Sequence, residues 1–447
     1  MSHGKHKVVI VGGGAGGLEL AARLGRAFGP GQITLIDKAD SHIWKPSLHE
    51  VAAGTLDIHR EDLSYSMLAR DCGFTFLHGE LDGLDRNTRQ LSLAAVCGPD
   101  GLEIFPARTV PYDTLVMAVG SKANFFGTPG AAEYAIALDE TAQAERFRQQ
   151  LLHELVLRNH RKAAQVAGGY RPASVRGGDT RLNIAIVGGG ATGVELSAEL
   201  LEACAGLVYY GLTELDPARD VHITLLEGAE RILSALPPKL SATAARLLEE
   251  RGVKVLTSVR VAAVEPDCLI DSAGQRYPAD LCVWAAGIEA PAFLARLGLE
   301  TNRVHQLVVD GRLRTADANI FAIGDCAQAP WKGEGRALPA RAQVAHQQAS
   351  FLRKIIRARI QGESEPPGEF AFRDYGSLVS VGHTRGVGSL MGVLSGKSWF
   401  VEGLLARLMY MSLHLMHHAA VLGLLRTTSL ALGRLLLKRG APRVKLH

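Results

Sequence analysis

The chain contains no CxxC pair; its six cysteines, at positions 72, 97, 204, 268, 282 and 326, are scattered. That absence argues against the paired redox dithiol that many flavin disulfide reductases need, and the six read as reduced thiols in a reducing compartment. An excess of charge is missing too. Lysine and arginine total 49 against 45 acids, a formal net of +4, so no global basic field points to nucleic acid. Met1 to Lys7 is short and polar before the first apolar stretch, so a signal peptide is not expected. No apolar run is comfortably long enough to span a bilayer; the uncharged stretch 408–425 is marginal. What remains is 47% hydrophobic with 49 glycines, the composition of an α/β enzyme with room for two or three domains.

The glycines are used in a pattern. Val8-Val-Ile-Val11 is a β-branched run, expected as a buried parallel strand. Gly12-x-Gly14-x-x-Gly17 follows and opens a helical pattern through Ala27, which is the strand–turn–helix of a dinucleotide fold. Its first glycine permits a tight turn, its second lets backbone approach a pyrophosphate, and its third lets helix pack on strand. The phosphates then rest on the free amides and positive dipole end of the helix. One such motif is weak. Here Asn183 to Val187 followed by Gly188-x-Gly190-x-x-Gly193 repeats it. Strand Ile33 to Ile36 ends in Asp37, twenty residues after Gly17, where an acid grips an adenosine ribose. Strand His222 to Leu226 ends in Glu227, where a glutamate accepts both ribose hydroxyls of NADH and repels a 2′-phosphate. Arg231 is close in sequence, so NADPH is disfavoured rather than excluded.

Other stretches fill in the frame. Ser41 to Glu50 mixes Trp44, Lys45, His42 and His49, and reads either as a loop beside a flavin ring or as a solvated loop. Residues 74–105 read as a small antiparallel meander. Strands ending at Gly120 and Gly287 suit close backbone approach. A polar helix is expected near 141–158 and a Gly/Pro loop at 168–180. A buried strand from Asn319 ends in Asp325. The helix after it, near 339–359, puts Gln343 and Gln347 on one face, flanked by Ala342 and Ala345, small residues that admit a flat ligand.

The C-terminus is apolar and basic. Arg407, Tyr410, His414, His417 and His418 fall on one side of a helical pattern, and Leu408, Met411, Leu415, Ala419 and Leu422 on another. This reads as an amphipathic helix lying in a membrane interface, with the histidines as its polar face and no metal site expected. Arg426, Arg434, Lys438, Arg439, Arg443 and Lys445 surround a second apolar stretch, with no acid after Glu402. That pattern favours an anionic leaflet; a homodimer-forming helical hairpin is the other reading.

In combination these motifs resemble the two-dinucleotide-binding-domain flavoproteins. Within them, Ala342-Gln343-x-Ala345-x-Gln347, the segment Trp44 to Val51 and the C-terminal stretch resemble the bacterial type II NADH:quinone oxidoreductases. The resemblance implies an α/β fold with two Rossmann-like domains and a C-terminal amphipathic helical membrane-binding segment. Its domains would be 1–125 with 305–375 for FAD, 126–304 for NADH and 376–447 for membrane attachment. It implies non-covalent FAD on Gly12, Gly13, Gly14, Ala15, Gly16, Gly17, Asp37, Lys38, Lys45, Leu81, Gly120, Gly324, Asp325, Ala342 and Gln343. It implies NADH on Gly188, Gly190, Gly193, Glu195, Glu227, Ala286 and Gly287. Glu195 matches the family's active-site glutamate, and Gln343 and Gln347 would line a quinone channel. The implied activity is NADH oxidation by a membrane quinone without proton pumping, from the cytoplasmic face of the inner membrane. One alternative is sulfide:quinone oxidoreductase, for which Cys326 lacks a convincing partner cysteine. Another is a nucleotide-responsive membrane protein without turnover, against which Asp37, Glu227 and Asp325 argue.

Overall fold

The computed structural model describes residues 5–98, 100–166, 181–381, 386–391, 398–402 and 415–437. The expected loop 168–180, the first half of the expected amphipathic helix with Arg407, Tyr410 and His414, and the basic residues after Leu437 lie outside the described residues.

Two parallel sheets organise the chain. Val8–Val11 is central in the first, between Thr114–Met117 and Ile33–Asp37, with Ile320–Ala322 and Thr75–His78 at the edges. All four residues of Val8–Val11 are buried, so the strand is covered on both faces and shows no polar alternation. The second sheet copies the first. Leu182–Val187 is central between Leu281–Trp284 and Val221–Leu226, with Ile136–Ala137 and Lys254–Leu256 at the edges. Each domain also carries a three-stranded antiparallel meander, Leu81–Asp85 with Gln90–Leu93 and Arg108–Pro111, and Val261–Val264 with Cys268–Asp271 and Arg276–Pro278. The repeat legible in two glycine motifs therefore extends to whole domains.

The chain crosses between the domains where Lys122–Ala123 pairs antiparallel with Ile288–Glu289. Beyond that pair, Ala290, Leu294, Leu297 and Leu299 bury themselves in the first core. These apolar residues reach the first core as soon as the chain returns.

The stretch Ser41 to Glu50 is not a solvated loop. Ser41–His42 pairs with Leu63–Ser64, Lys45–Ser47 is a 3₁₀ turn, and Leu48–Ala53 is a helix. Leu48, Val51, Ala52 and Ala53 join the second domain's core, so this first-domain segment plugs into its neighbour. Strand Gly376–Ser380 behaves similarly: Val379 and Val381 pack in that same core, and the strand begins a hairpin with Gly386–Met391 and Ser398–Glu402.

The end of the chain corrects one expectation. The helix 415–422 turns His417 and His418 inward, both buried, rather than presenting them as a polar outer face. His42 and His417 approach Nε2 to Nε2 at 2.9 Å, and Trp44 lies 4.5 Å from the His417 ring. Outside, helix Leu424–Leu437 and its approach expose Met416, Leu424, Leu425, Leu430 and Leu432, with Leu425 82% accessible. Among the described residues, the protein side takes His417 and His418, and the outer side shows leucines together with Arg426, Thr428 and Ser429. Among the described residues, no helix is long and apolar enough to cross a membrane.

Candidate active site

Two identical turns define the site. Gly12 has φ +104°, and a Cβ there would lie 2.3 Å from the Ala118 carbonyl oxygen. A Cβ on Gly17 would lie 1.9 Å from the Gly12 oxygen. Glycine is therefore enforced by contact at both places. At Gly14, the N-cap of helix Ala15–Phe28, a Cβ would meet nothing within 4 Å, so open space remains before the helix amides. The second motif matches it: Gly188 has φ +110°, a Cβ on Gly193 would lie 2.0 Å from the Gly188 oxygen, and Gly190 faces open space.

An acid closes each cradle in the same way. Asp37 accepts from the Gly13 N–H at 2.6 Å and the Ala39 N–H at 2.8 Å. Glu227 accepts from the Gly189 N–H at 2.5 Å and the Ala229 N–H at 2.7 Å. Burial raises the Asp37 pKa, against the pull of those amides, so further donors such as ribose hydroxyls would stabilise its charge. Arg231 is committed elsewhere. Its guanidinium donates to the Leu236 oxygen at 2.7 Å, Ser241 Oγ at 3.0 Å and the Ser234 oxygen at 2.7 Å.

The first sheet brings a third acid to the same mouth. Asp325 accepts from Ser121 Oγ at 2.8 Å, and its backbone oxygen accepts from Gln306 Nε2 at 2.9 Å. Gly324, at φ +71°, donates its N–H to Gln348 Oε1 at 2.7 Å. Gln348 is buried, and sequence reasoning passed over it because a glutamine on a helix carries no pattern of its own. The helix Ala342–Gln361 packs closely on Ala15–Phe28: a Cβ on Gly16 would lie 3.2 Å from the Ala345 oxygen. Glu19, fully buried, joins the two helices through His346 Nδ1 at 2.6 Å and pairs on its own helix with Arg23 at 2.8 Å, which in turn donates to Ser350 Oγ of the second helix at 2.8 Å. Ala342 and Gln343 consequently occupy the first turn of the second helix, near Gly324.

Gln343 and Gln347 both face the segment entering the C-terminal strands. Gln347 grips Arg373 twice, donating to its oxygen at 2.8 Å and accepting its N–H at 3.0 Å. Gln343 Oε1 accepts the Tyr375 N–H at 3.4 Å. The expected lysines sit at the domain joint. Lys38 pairs with Glu140 at 2.5 Å, and Lys45 donates to the Ser121 oxygen at 2.8 Å and reaches Asp139 at 3.1 Å. Leu81 is buried in register with Leu93, and Gly120 and Gly287 both have positive φ. Ala286 precedes Gly287 at the end of the central strands.

Glu195 lies buried one turn into helix Ala191–Tyr209. Its Oε1 accepts the Ser380 N–H at 3.0 Å, and its Oε2 lies 3.6 Å from His49 Nδ1. Glu199, on the same helix, accepts from Thr55 Oγ1 at 3.1 Å. Burial pushes the Glu195 carboxyl up to about 8, with Glu50 and Glu199 adding to the rise against the Ser380 amide. Burial pushes His49 down to about 4. At neutral pH the carboxyl is protonated and the imidazole neutral. Cys326 offers no nucleophile: its buried thiol donates to the Ile323 and Met117 oxygens, and burial pushes it up to about 12.

A family model for pyridine nucleotide-disulphide oxidoreductases matches residues 6–349. A type II NADH:quinone oxidoreductase of Haemophilus influenzae is 40% identical, over 98% of this chain and 99% of its own length. The chain belongs to this family. A Staphylococcus aureus type II NADH:quinone oxidoreductase is 31% identical over 88% of this chain and 91% of its own. The fold is shared with a solved structure of NDH2 from Plasmodium falciparum in complex with NADH, at a TM-score of 0.74 and 19% identity, covering 92% of this chain and 94% of that one. The protein is thus a pyridine nucleotide-binding flavoprotein of α/β architecture.

Proposed function

We infer that the enzyme passes two electrons from NADH through non-covalent FAD to a membrane quinone and moves no proton across the bilayer. The observation that carries this reading is the pair of glycine cradles, each closed by an acid bonded to the amide that follows its first glycine, Gly13 and Gly189, in a chain whose six cysteines are all free. With no dithiol in the sequence, electrons from NADH need a bound carrier and an acceptor other than a disulfide. FAD, when bound, would supply that chemistry as a carrier able to accept hydride and give up electrons, with Gly12 to Gly17, Asp37 and Asp325 as the residues that would hold it.

The first cradle fits FAD. Gly12, Gly13, Gly14, Ala15, Gly16 and Gly17 offer open space and helix amides to a diphosphate, and Asp37 offers a desolvated carboxylate to a ribose. Gly324, Asp325, Ala342 and Gln343 hold the far end, with Gly120 and Leu81 completing the wall. Lys38 and Lys45 brace this set from the domain joint, since both are already ion-paired there. NADH occupies Gly188, Gly190, Gly193, Ala286 and Gly287, and Glu227 selects it over NADPH because its carboxylate repels a 2′-phosphate while three hydrogen bonds hold the Arg231 guanidinium to its own loop and to Ser241. Glu195 stands beside the nicotinamide end, while Gln343 and Gln347 line the quinone approach.

The exposed leucines of 424–432 meet an anionic leaflet on the cytoplasmic face of the inner membrane, helped by the basic residues after Glu402. A homodimer through the same helices is the competing arrangement. The purified enzyme is expected to show flavin absorbance and to oxidise NADH, in preference to NADPH, with a soluble quinone. A protein lacking flavin, or one reducing quinone with sulfide but not NADH, overturns this reading.

A further inference from the structure

Phe125, Phe126, Gly127 and Thr128 form a turn whose two central residues both have positive φ, +52° at Phe126 and +67° at Gly127. The Thr128 N–H closes it on the Phe125 oxygen at 2.9 Å. Turns of this kind favour glycine, asparagine or aspartate at the first central position, because other side chains strain the backbone there. Phenylalanine holds that position here, and it is 64% exposed to solvent. The fold therefore gains little from this side chain, either by burial or by backbone conformation. A strained residue that also keeps an aromatic ring in water is accounted for by something that meets the ring.

The ring is held in one place. The Phe126 N–H donates to Asn124 Oδ1 at 2.7 Å. The Asn124 N–H donates to the Gly287 oxygen at 3.2 Å, and the Asn124 oxygen accepts from Trp284 Nε1 at 2.8 Å. Phe125 turns inward and packs on Trp284, with ring centroids 5.8 Å apart. Phe126 is thereby laid on Gly287, where a Cβ would lie 2.5 Å from its Cζ. A ring beside a residue with no side chain makes a smooth apolar wall. That wall adjoins the second cradle, since a Cβ on Gly188 would lie 2.6 Å from the Ala285 oxygen and 2.7 Å from the Ala286 nitrogen.

Strand order fixes which half of a dinucleotide would reach it. In the second sheet Val221–Leu226 lies on one side of the central Leu182–Val187, and Leu281–Trp284 on the other. Glu227 follows the first neighbour and Gly287 the second. A dinucleotide with its adenosine ribose at Glu227 and its diphosphate at the Gly188 turn extends its remaining half toward Gly287. We propose that Phe126 is the aromatic wall of the nicotinamide end of the NADH site, packing against that half and positioning it. The inference rests on NADH occupying the second cradle. Lys122–Ala123, just before this turn, pairs with Ile288–Glu289, just after Gly287, so the wall stands where the chain crosses to the first domain.

The test compares whole and half nucleotides on the flavin-loaded enzyme. Phe126→Leu keeps an apolar side chain on the same backbone but removes the aromatic face. It is expected to weaken NAD⁺ binding about tenfold, the size of one lost ring contact, and to raise KM for NADH by a similar factor with a smaller fall in kcat. AMP carries only the adenosine half, and its affinity is expected to match that for the parent. Phe126→Tyr keeps the ring and is expected to restore NAD⁺ affinity. In Phe126→Trp, NAD⁺ is expected to quench the added tryptophan emission and AMP to leave it unchanged; this variant carries the test if Phe126→Leu fails to fold. Unchanged NAD⁺ affinity in Phe126→Leu, equal weakening of NAD⁺ and AMP, or no quenching by NAD⁺ overturns the wall. A parent enzyme that neither binds NAD⁺ nor oxidises NADH overturns the functional reading instead.

Discussion

Glu195 holds a proton at neutral pH because its surroundings exclude water and include other acids. That has a consequence for stability. Its folded pKa, about 8, lies above its ordinary value of 4.5. Below the lower value both folded and unfolded chains bind the proton, and the folded state has its full advantage. As pH rises toward about 8 the unfolded chain sheds the proton first, and that advantage is lost. Glu195→Gln cannot titrate, so its melting temperature relative to the parent is expected to rise between about pH 5 and pH 8 and then level off. Thermal melts across that range check it; a pH-independent difference would show that Glu195 is ionised in the fold. His49 works in the opposite sense: its lowered pKa gives stability that is present above 6.5 and lost as pH falls toward about 4.

At the scale of elements, the joint between strand Ile320–Ala322 and helix Ala342–Gln361 depends on one side chain. The Gly324 N–H has Gln348 Oε1 as its acceptor, and Gln348 is buried. Gln348→Leu keeps the bulk but leaves that N–H unpaired, at a cost of about 1–3 kcal/mol. A urea titration should show the lower midpoint, and flavin retention should fall because Gly324 and Asp325 lose their anchor. A midpoint equal to the parent's would mean that water replaces the amide. The strands and glycine turns around this joint were legible from local pattern, since a strand buried on both faces is apolar throughout and a turn with φ above +100° demands glycine. Gln348, Glu19 and His346 were not, because each is ordinary on a helix until a second element arrives to use it.

At the scale of the whole molecule, the C-terminal helices present leucine outward and histidine inward. Each leucine transferred from water to an apolar phase contributes on the order of 2 kcal/mol. Replacing Leu424 and Leu425 together by glutamate is expected to abolish co-sedimentation with anionic vesicles while leaving NADH:ferricyanide activity intact. Undiminished vesicle binding, with loss of a dimer in its place, would assign these helices to self-association. The partition of residues between domains also belongs to this scale. Helix Leu48–Ala53 and strand Gly376–Ser380 are distant in sequence, yet both pack on the second domain and bring His49 and Ser380 to Glu195.

What the residues alone decided was local and repeated: two β-branched strands, two glycine turns, two terminal acids, and a basic apolar tail. Those features depend on backbone geometry and solvent partitioning, which act over a few residues and leave a periodic trace. Folding alone decided that His417 and His418 turn inward, that Leu48–Ala53 joins the second core, and that a histidine near the N-terminus comes to lie against Glu195. Such outcomes follow from burial and from pairing between chain segments far apart, and no spacing rule connects those segments before the core has formed.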